Sequence, residues 1–316
     1  MKAKSGIILF SLVVAMTLTM TACLSHELET QKTGEGQGAS RAVIDRDREG
    51  NPIILPKNIN RIISMGPSNT EILDALGFAG KIIAADTYST GVKSLADDIP
   101  LFSMMAPDGE QIIDLEPDVI FVTKMSKAGG ADPLKAVASV GICVVYIPSS
   151  NSVDGIKDDI RFIAEVMGAK AKGNAIIEDM EKEIGAISKT GALITDKKTV
   201  YFEIGAAPSM YSFGAGVFLN EMLELVGAKN ILAEQESWVL IPDEVIFNKN
   251  PDVILTNVNY IDDPIDEIVS RPGWNGITAV KNGDVYYIDT DASSNASHNI
   301  VKALKEIAKA VYPDKY

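Results

Sequence analysis

A stretch of the chain occurs twice. Residues 109–122 read GEQIIDLEPDVIFV, and residues 243–256 read DEVIFNKNPDVILT. In both copies a Glu stands seven residues ahead of Pro-Asp-Val-Ile: Glu110 before Pro117, and Glu244 before Pro251. A second echo lies upstream of each copy, where Thr70-Glu-Ile-Leu-Asp-Ala-Leu-Gly77 matches Asn220-Glu-Met-Leu-Glu-Leu-Val-Gly227. The order is the same in both halves, so the chain is expected to build two lobes on one plan.

The local chemistry says what that plan is. Each Glu opens a short helix, because a carboxylate is favoured at the positive N-terminal end. Pro then ends the helix. The apolar run that follows (Val119–Val122 and Val253–Leu255) is continuous, as a strand buried on both faces of a parallel sheet requires. The rest of the first half alternates in the same way: strand Ile62–Met65, helix Asn69–Leu76, strand Ile82–Ala85, helix Pro133–Val140 and strand Ile142–Ile147. Cys143 falls inside the last of these and reads as a buried strand residue. Between the halves, Val153–Lys189 carries apolar residues at helical spacing, with a break at Gly168. The predicted fold is therefore α/β: two lobes with short, mainly parallel sheets (42–168 and 191–316) joined by one long rigid helix (169–190), with a ligand cleft between the lobes.

Composition narrows the function. The chain of 316 residues has 29 Lys+Arg against 43 Asp+Glu, a net charge of −14. Nucleic-acid binding needs a basic face, so that class is set aside. Residues 46% hydrophobic and 23% charged describe a globular protein.

The N-terminus sets the compartment. Lys2 and Lys4 precede an uncharged run, Gly6–Ala22, of the length of a secretory signal rather than a membrane span. The run ends Met20-Thr21-Ala22-Cys23, which resembles a bacterial lipobox and makes Cys23 the lipidated first residue of the mature chain. Residues 23–41 form a polar, Gly-rich tether. The expected location is extracytoplasmic, held at the cell membrane through lipid on Cys23.

Further stretches carry a resemblance. Arg61-Ile-Ile-Ser-Met-Gly-Pro-Ser-Asn-Thr-Glu-Ile-Leu73, Glu116-Pro-Asp-Val-Ile120, Phe218-Leu-Asn-Glu-Met-Leu223, Arg271-Pro-Gly-Trp274 and the C-terminal Ile300–Pro313 are similar, in order and spacing, to the substrate-binding proteins of cobalamin and iron-siderophore ABC importers. The resemblance covers residues 42–316. It implies a monomer that clamps a small molecule between its lobes and delivers it to an ABC permease and its ATPase. It also implies that one Glu on each lobe docks on the permease, which by position are Glu110 and Glu244. The second repeat offers Glu71 and Glu221 as an alternative pair.

Ligands of open α/β sheets bind beyond the carboxyl ends of the strands. The candidate wall residues are Pro67, Ser68, Tyr88, Met104, Met105, Thr123 and Lys124 on the first lobe, and Tyr211, Trp238, Tyr260 and Asp291 on the second. Trp238 precedes the Glu244 helix, where cobalamin binders carry a stacking aromatic. Only six Arg exist (41, 46, 48, 61, 161, 271), and few are placed to meet a trianionic siderophore. A bulky, nearly neutral corrinoid such as cobalamin fits better, with neutral ferric siderophores and haem as alternatives. Lys124 is left to serve one anionic group. One structured His, His298, is too few for a dedicated Zn or Mn receptor; it reads as a surface residue at a helix start, with a cobalt or haem-iron ligand at the cleft as the alternative. No phosphate loop, nucleophile elbow or His-centred acid/base pair is present, so an enzyme is not expected and no cofactor is implied. A solute sensor would use the same cleft.

Overall fold

The structure is a computed structural model that describes residues 44–127 and 132–316. Cys23, the signal run and the tether lie outside the described residues.

The first lobe is a five-stranded parallel sheet built from β1 (Ile62–Met65), β2 (Ile82–Asp86), β3 (Leu101–Phe102), β4 (Val119–Thr123) and β5 (Cys143–Ile147), in the order β3-β2-β1-β4-β5. Its helices are α1 (Pro67–Ala75), α2 (Gly109–Asp114) and α3 (Lys135–Ser139). Two helices follow, α4 (Val153–Val166) and the longest of the described chain, α5 (Lys170–Gly191). The second lobe has a four-stranded parallel sheet of β6 (Thr199–Glu203), β8 (Lys229–Asn230), β10 (Val253–Thr256) and β11 (Val285–Tyr287), ordered β11-β10-β6-β8. A separate antiparallel pair joins β7 (Tyr211–Phe213) to β9 (Trp238–Leu240). The helices here are α6 (Phe218–Leu225), α7 (Asp243–Lys249), α8 (Pro264–Ser270), α9 (Thr278–Asn282), α10 (Thr290–Ser294) and α11 (Ile300–Val311). The fold is thus α/β with two parallel sheets.

The repeat is visible in the backbone. Both Pro-Asp-Val-Ile segments enter the strand beside the first strand of their sheet, β4 beside β1 and β10 beside β6. The residue ahead of each Pro, Glu116 and Asn250, takes a left-handed conformation with φ 45°. Pro disfavours the right-handed helical region for the residue before it, so the chain turns out of the helix there. β1, β4 and β10 are buried along their whole length, which explains their unbroken apolar runs. Each fully buried Ile or Val contributes about 1.5–3 kcal/mol.

One apolar core joins the sheets. It runs from Ile62, Val119 and Val145 through Ile156, Ile160 and Ile163 of α4 and Ile177 and Met180 of α5. From there it reaches Val200, Phe202 and Leu255, and Leu304 and Ile307 of α11. Two smaller cores cover the outer faces of the sheets. Gly168, at φ 69°, ends α4 with its N–H on the Glu165 carbonyl, so the chain reverses and α5 packs back on α4. Contact between these helices is close: a Cβ at Gly173 would stand 2.4 Å from the Ala164 Cβ.

That approach makes a testable contrast inside α5. Gly173→Leu should lower stability by about 1–3 kcal/mol through overpacking. Gly185→Ala, where an added Cβ meets nothing within 4 Å, should raise it by about 0.4–1 kcal/mol. Urea unfolding of the two variants checks both signs.

Candidate functional site

In a doubly wound sheet, the strand order reverses at one point, and the helices on either side of it leave a crevice at the carboxyl ends. In the first sheet that point lies between β1 and β4, in the second between β6 and β10. Two cavities lie there. One, of about 440 Å³, is lined by Pro67, Ser68, Tyr88, Met104 and Thr123 from the first lobe and by Trp238, Asn259, Thr290, Asp291 and Asn295 from the second. The other, of about 310 Å³, holds Ile204, Tyr211, Trp238, Asn257 and Tyr260. Trp238, Asn259, Thr290 and Ser294 belong to both, so the two cavities form one cleft.

Each wall has a local cause. Pro67 and Ser68 begin α1 directly after β1, and Gly66 sets their approach, since a Cβ there would lie 2.5 Å from Thr123 Cγ2. Asp86 ends β2 and receives the N–H groups of Tyr88 and Met104, both at 2.8 Å, which pins two wall residues to one carboxylate. Trp238 and Tyr211 come from the antiparallel β7–β9 pair. Trp238 packs edge-on against buried Phe213, centroids 6.0 Å apart, and keeps 40% of its surface exposed. Tyr260 is 69% exposed, and its hydroxyl accepts the Ala206 N–H at 2.8 Å. These rings present apolar faces to solvent, the mark of a surface made to be covered.

The cleft carries little charge. Among the described residues lining its cavities, Asp291 is the one charged side chain. The described arginines are used elsewhere. Arg271 is buried, with Nη1 and Nη2 on Glu203 at 2.7 and 2.8 Å, and also bonds Glu267. Arg48 holds Asp159, Arg61 caps the carbonyls of Leu115 and Glu116, Arg161 pairs with Asp158, and Arg46 bonds the Gly50 carbonyl. Lys124 differs from expectation. It follows β4 in a short 3-10 turn, is exposed, and lines neither cavity of the cleft. Thr123, at the strand end, takes the wall position, and the turn carries the next residue out to solvent.

Glu110 and Glu244 are both exposed in the first turns of α2 and α7. The alternative docking pair, Glu71 and the half-buried Glu221, is engaged within the molecule. Glu71 is buried and accepts bonds from Asn295 Nδ2 at 2.6 Å, Asn299 Nδ2 at 2.9 Å and the Ser297 hydroxyl. Burial raises its pKa, while the three donors oppose the rise. Glu221 Oε2 accepts the Val153 N–H at 2.8 Å. His298 also corrects the sequence reading. It is half-buried, and it lines a polar cavity of about 490 Å³ with Asp74 and Lys302, which adjoins the cleft at Asp291. Its Nδ1 is buried without a hydrogen-bond partner. Cys143 is buried, and burial raises its thiol pKa to about 11, as an inert strand residue requires.

Sequence reasoning missed the polar floor of the cleft: Ser149, Ser150 and Asn151 after β5, and Ser294 at the end of α10 with Asn295 and Ala296 after it. A signal was available. Ser149-Ser-Asn-Ser152 and Ser293-Ser-Asn-Ala-Ser297 are a third echo, each standing just ahead of a helix, α4 or α11.

With the cleft between two pseudo-equivalent lobes described, comparison with known proteins decides the family. The model of the periplasmic binding protein family matches residues 62–292. The chain belongs to that family. YvrC of Bacillus subtilis, an uncharacterized ABC transporter substrate-binding lipoprotein, is 30% identical over 272 residues and covers 85% of each chain. A cobalamin-binding protein of Halobacterium salinarum is 24% identical over 314 residues, 95% of this chain and 83% of that one. The structure of a protein from Staphylococcus epidermidis, described as a possible iron-binding (periplasmic solute-binding) protein, superposes with a TM-score of 0.71 at 28% identity, over 81% of this chain and 100% of that chain.

His298 supplies a pH test. Burial lowers its pKa below 6.5, the smaller pull of Asp74 notwithstanding. The folded state therefore holds this proton less well than the unfolded one. Its contribution is complete above pH 6.5 and is lost as pH falls toward the lowered value. Between about pH 7.5 and about pH 5.5, wild type should lose more stability than His298→Gln in urea unfolding, the difference isolating this group from the carboxylates that titrate nearby.

Proposed function

We infer that this member of the family is an extracytoplasmic lipoprotein, anchored through Cys23, that captures a corrinoid of the cobalamin type and hands it to an ABC permease with its ATPase. The observation that carries the ligand class is the cleft's lack of cations beside its exposed rings. A trianionic siderophore or an oxyanion calls for Arg or Lys at the contact surface, and among the described residues none lines the two cavities of the cleft. The lining is instead aromatic and apolar, with neutral amides and hydroxyls such as Asn151, Asn259, Asn295 and Ser68. A corrinoid has broad apolar faces and a rim of neutral carboxamides, which such a lining matches ring for face and amide for amide. The cobalamin-binding relative supports the same class. On this reading Trp238, Tyr211 and Tyr260 cover the ligand from the second lobe. Pro67, Ser68, Tyr88 and Met104 meet it from the first, and Asp291 lies at the floor. The lobes are residues 42–168 and 191–316, joined through 169–190, and the receptor works as a monomer. A neutral hydroxamate siderophore is the second reading, and the charge-poor cleft favours it over haem with its two propionates.

Delivery is assigned to Glu110 and Glu244. They occupy equivalent places in the repeat, are exposed and are free to enter basic pockets on two equivalent permease subunits, where charge-assisted pairs set orientation.

Calorimetric titration of the full-length protein in detergent with cyanocobalamin, a ferric hydroxamate and haemin tests the ligand class. One-to-one binding of cyanocobalamin alone is expected, and Trp238→Ala should weaken it by about 2 kcal/mol, roughly thirtyfold. Binding of the iron complexes alone overturns the corrinoid reading. For delivery, Glu110→Ala with Glu244→Ala should abolish cellular uptake and leave affinity unchanged. Full uptake by the double variant removes the docking role.

A further inference from the structure

The two glutamates of the alternative docking pair have a different arrangement in common. Glu71 and Glu221 hold matching places in the repeat, on α1 of the first lobe and α6 of the second. Each reaches across to the other lobe. Glu71 takes the side chains of Asn295, Ser297 and Asn299, which precede α11. Glu221 takes the backbone N–H of Val153, the first residue of α4. Asn295 and Ser297 belong to one Ser-Ser-Asn echo, Val153 directly follows the other, and both echoes line the cleft.

The geometry points to Glu71 and Glu221 as a crossed pair of positioning residues, each fixing from one lobe the ligand-facing floor segment of the other. Neither carboxylate lines the cleft cavities, so both act through the segments they hold. Each segment is also tied to its own lobe: Ser150 bonds the buried carboxylate of Asp159, and Asn257 Nδ2 bonds Ser293 and Ser294 at 2.9 and 3.2 Å. A floor held from both lobes keeps its amides and hydroxyls aimed before a ligand arrives, which lowers the ordering cost of binding. Asn295 shows the link most directly, since one residue both bonds Glu71 and lines the cleft. A charged acceptor suits the role, because hydrogen bonds to a carboxylate are about twice as strong as neutral ones.

This inference rests on the ligand reading only for its effect on affinity, so the test has two readouts. The first is hydrogen exchange of the full-length protein in detergent with no ligand added. It is followed in peptides spanning 149–156 and 294–302, for wild type, Glu71→Ala, Glu71→Gln, Glu221→Ala and Glu221→Gln. Glu71→Ala should speed exchange in 294–302 about tenfold or more and leave 149–156 unchanged; Glu221→Ala should do the reverse. Each Gln variant keeps the volume and one acceptor and should recover part of the protection. The second readout is cyanocobalamin affinity, expected to fall about tenfold in each Ala variant and less in each Gln variant. Exchange that does not move in these segments, or that rises equally throughout the chain, overturns the positioning role. Crossed exchange with unaltered cyanocobalamin affinity overturns the link to the cleft. Crossed exchange in the variants, with a wild type that fails to bind cyanocobalamin, supports the positioning role and overturns the corrinoid reading alone.

Discussion

The single apolar core that runs through α4, α5 and α11 into both sheets is the constraint on which the rest of the molecule depends. Two lobes hung on a flexible linker would meet at many angles. Here the faces of both sheets that turn toward the shared helices are buried in one packed interior, and packed interiors resist continuous deformation. The carboxyl ends of β1, β4, β6 and β10 are thereby held facing one cleft. Large hinge motion would expose this core, so small displacements are the expected mode of any closure.

Electrostatics shapes the cleft by what it withholds. The chain has few arginines, and those described are taken up by internal partners. The most deeply placed, Arg271, donates two hydrogen bonds to Glu203, with Glu267 as second acceptor and the Trp274 ring centroid 4.5 Å from its guanidinium carbon. Removing one member of such a buried pair would leave a charge without compensation, at a cost of several kcal/mol. These cations therefore stabilise the lobes and leave the cleft to aromatic rings, amides and hydroxyls. The charge that remains at the cleft is the negative one of Asp291, which disfavours anionic ligands further.

Much of the fold was legible because its causes are local. Pro117 and Pro251 end helices wherever they fall, and the runs Val119–Val122 and Val253–Leu255 are apolar because parallel strands are buried on both faces. Gly168 breaks the helical period by its own conformation. The two-residue strand Leu101–Phe102 escaped notice because so short a run carries no periodic signal, and the antiparallel β7–β9 pair because its partners lie far apart in sequence. At the site, the residues found were those that follow a strand directly, such as Pro67, Ser68 and Tyr88. The floor segments 149–151 and 294–296 were passed over although they repeat, because a run of Ser and Asn reads locally as a loop and nothing more.

Sequence alone determined the repeat, the α/β alternation, the long helix between the halves and the shortage of cations, since each depends on residue type and spacing along the chain. Tertiary structure decided which groups consume one another. It turned Lys124 outward where its neighbour Thr123 faces the cleft, half-buried His298, and converted Glu71 and Glu221 from surface candidates into acceptors for the opposite lobe. Spacing fixes which face of an element a residue occupies; only through-space distance fixes whether a charge meets solvent, a ligand or a partner two hundred residues away.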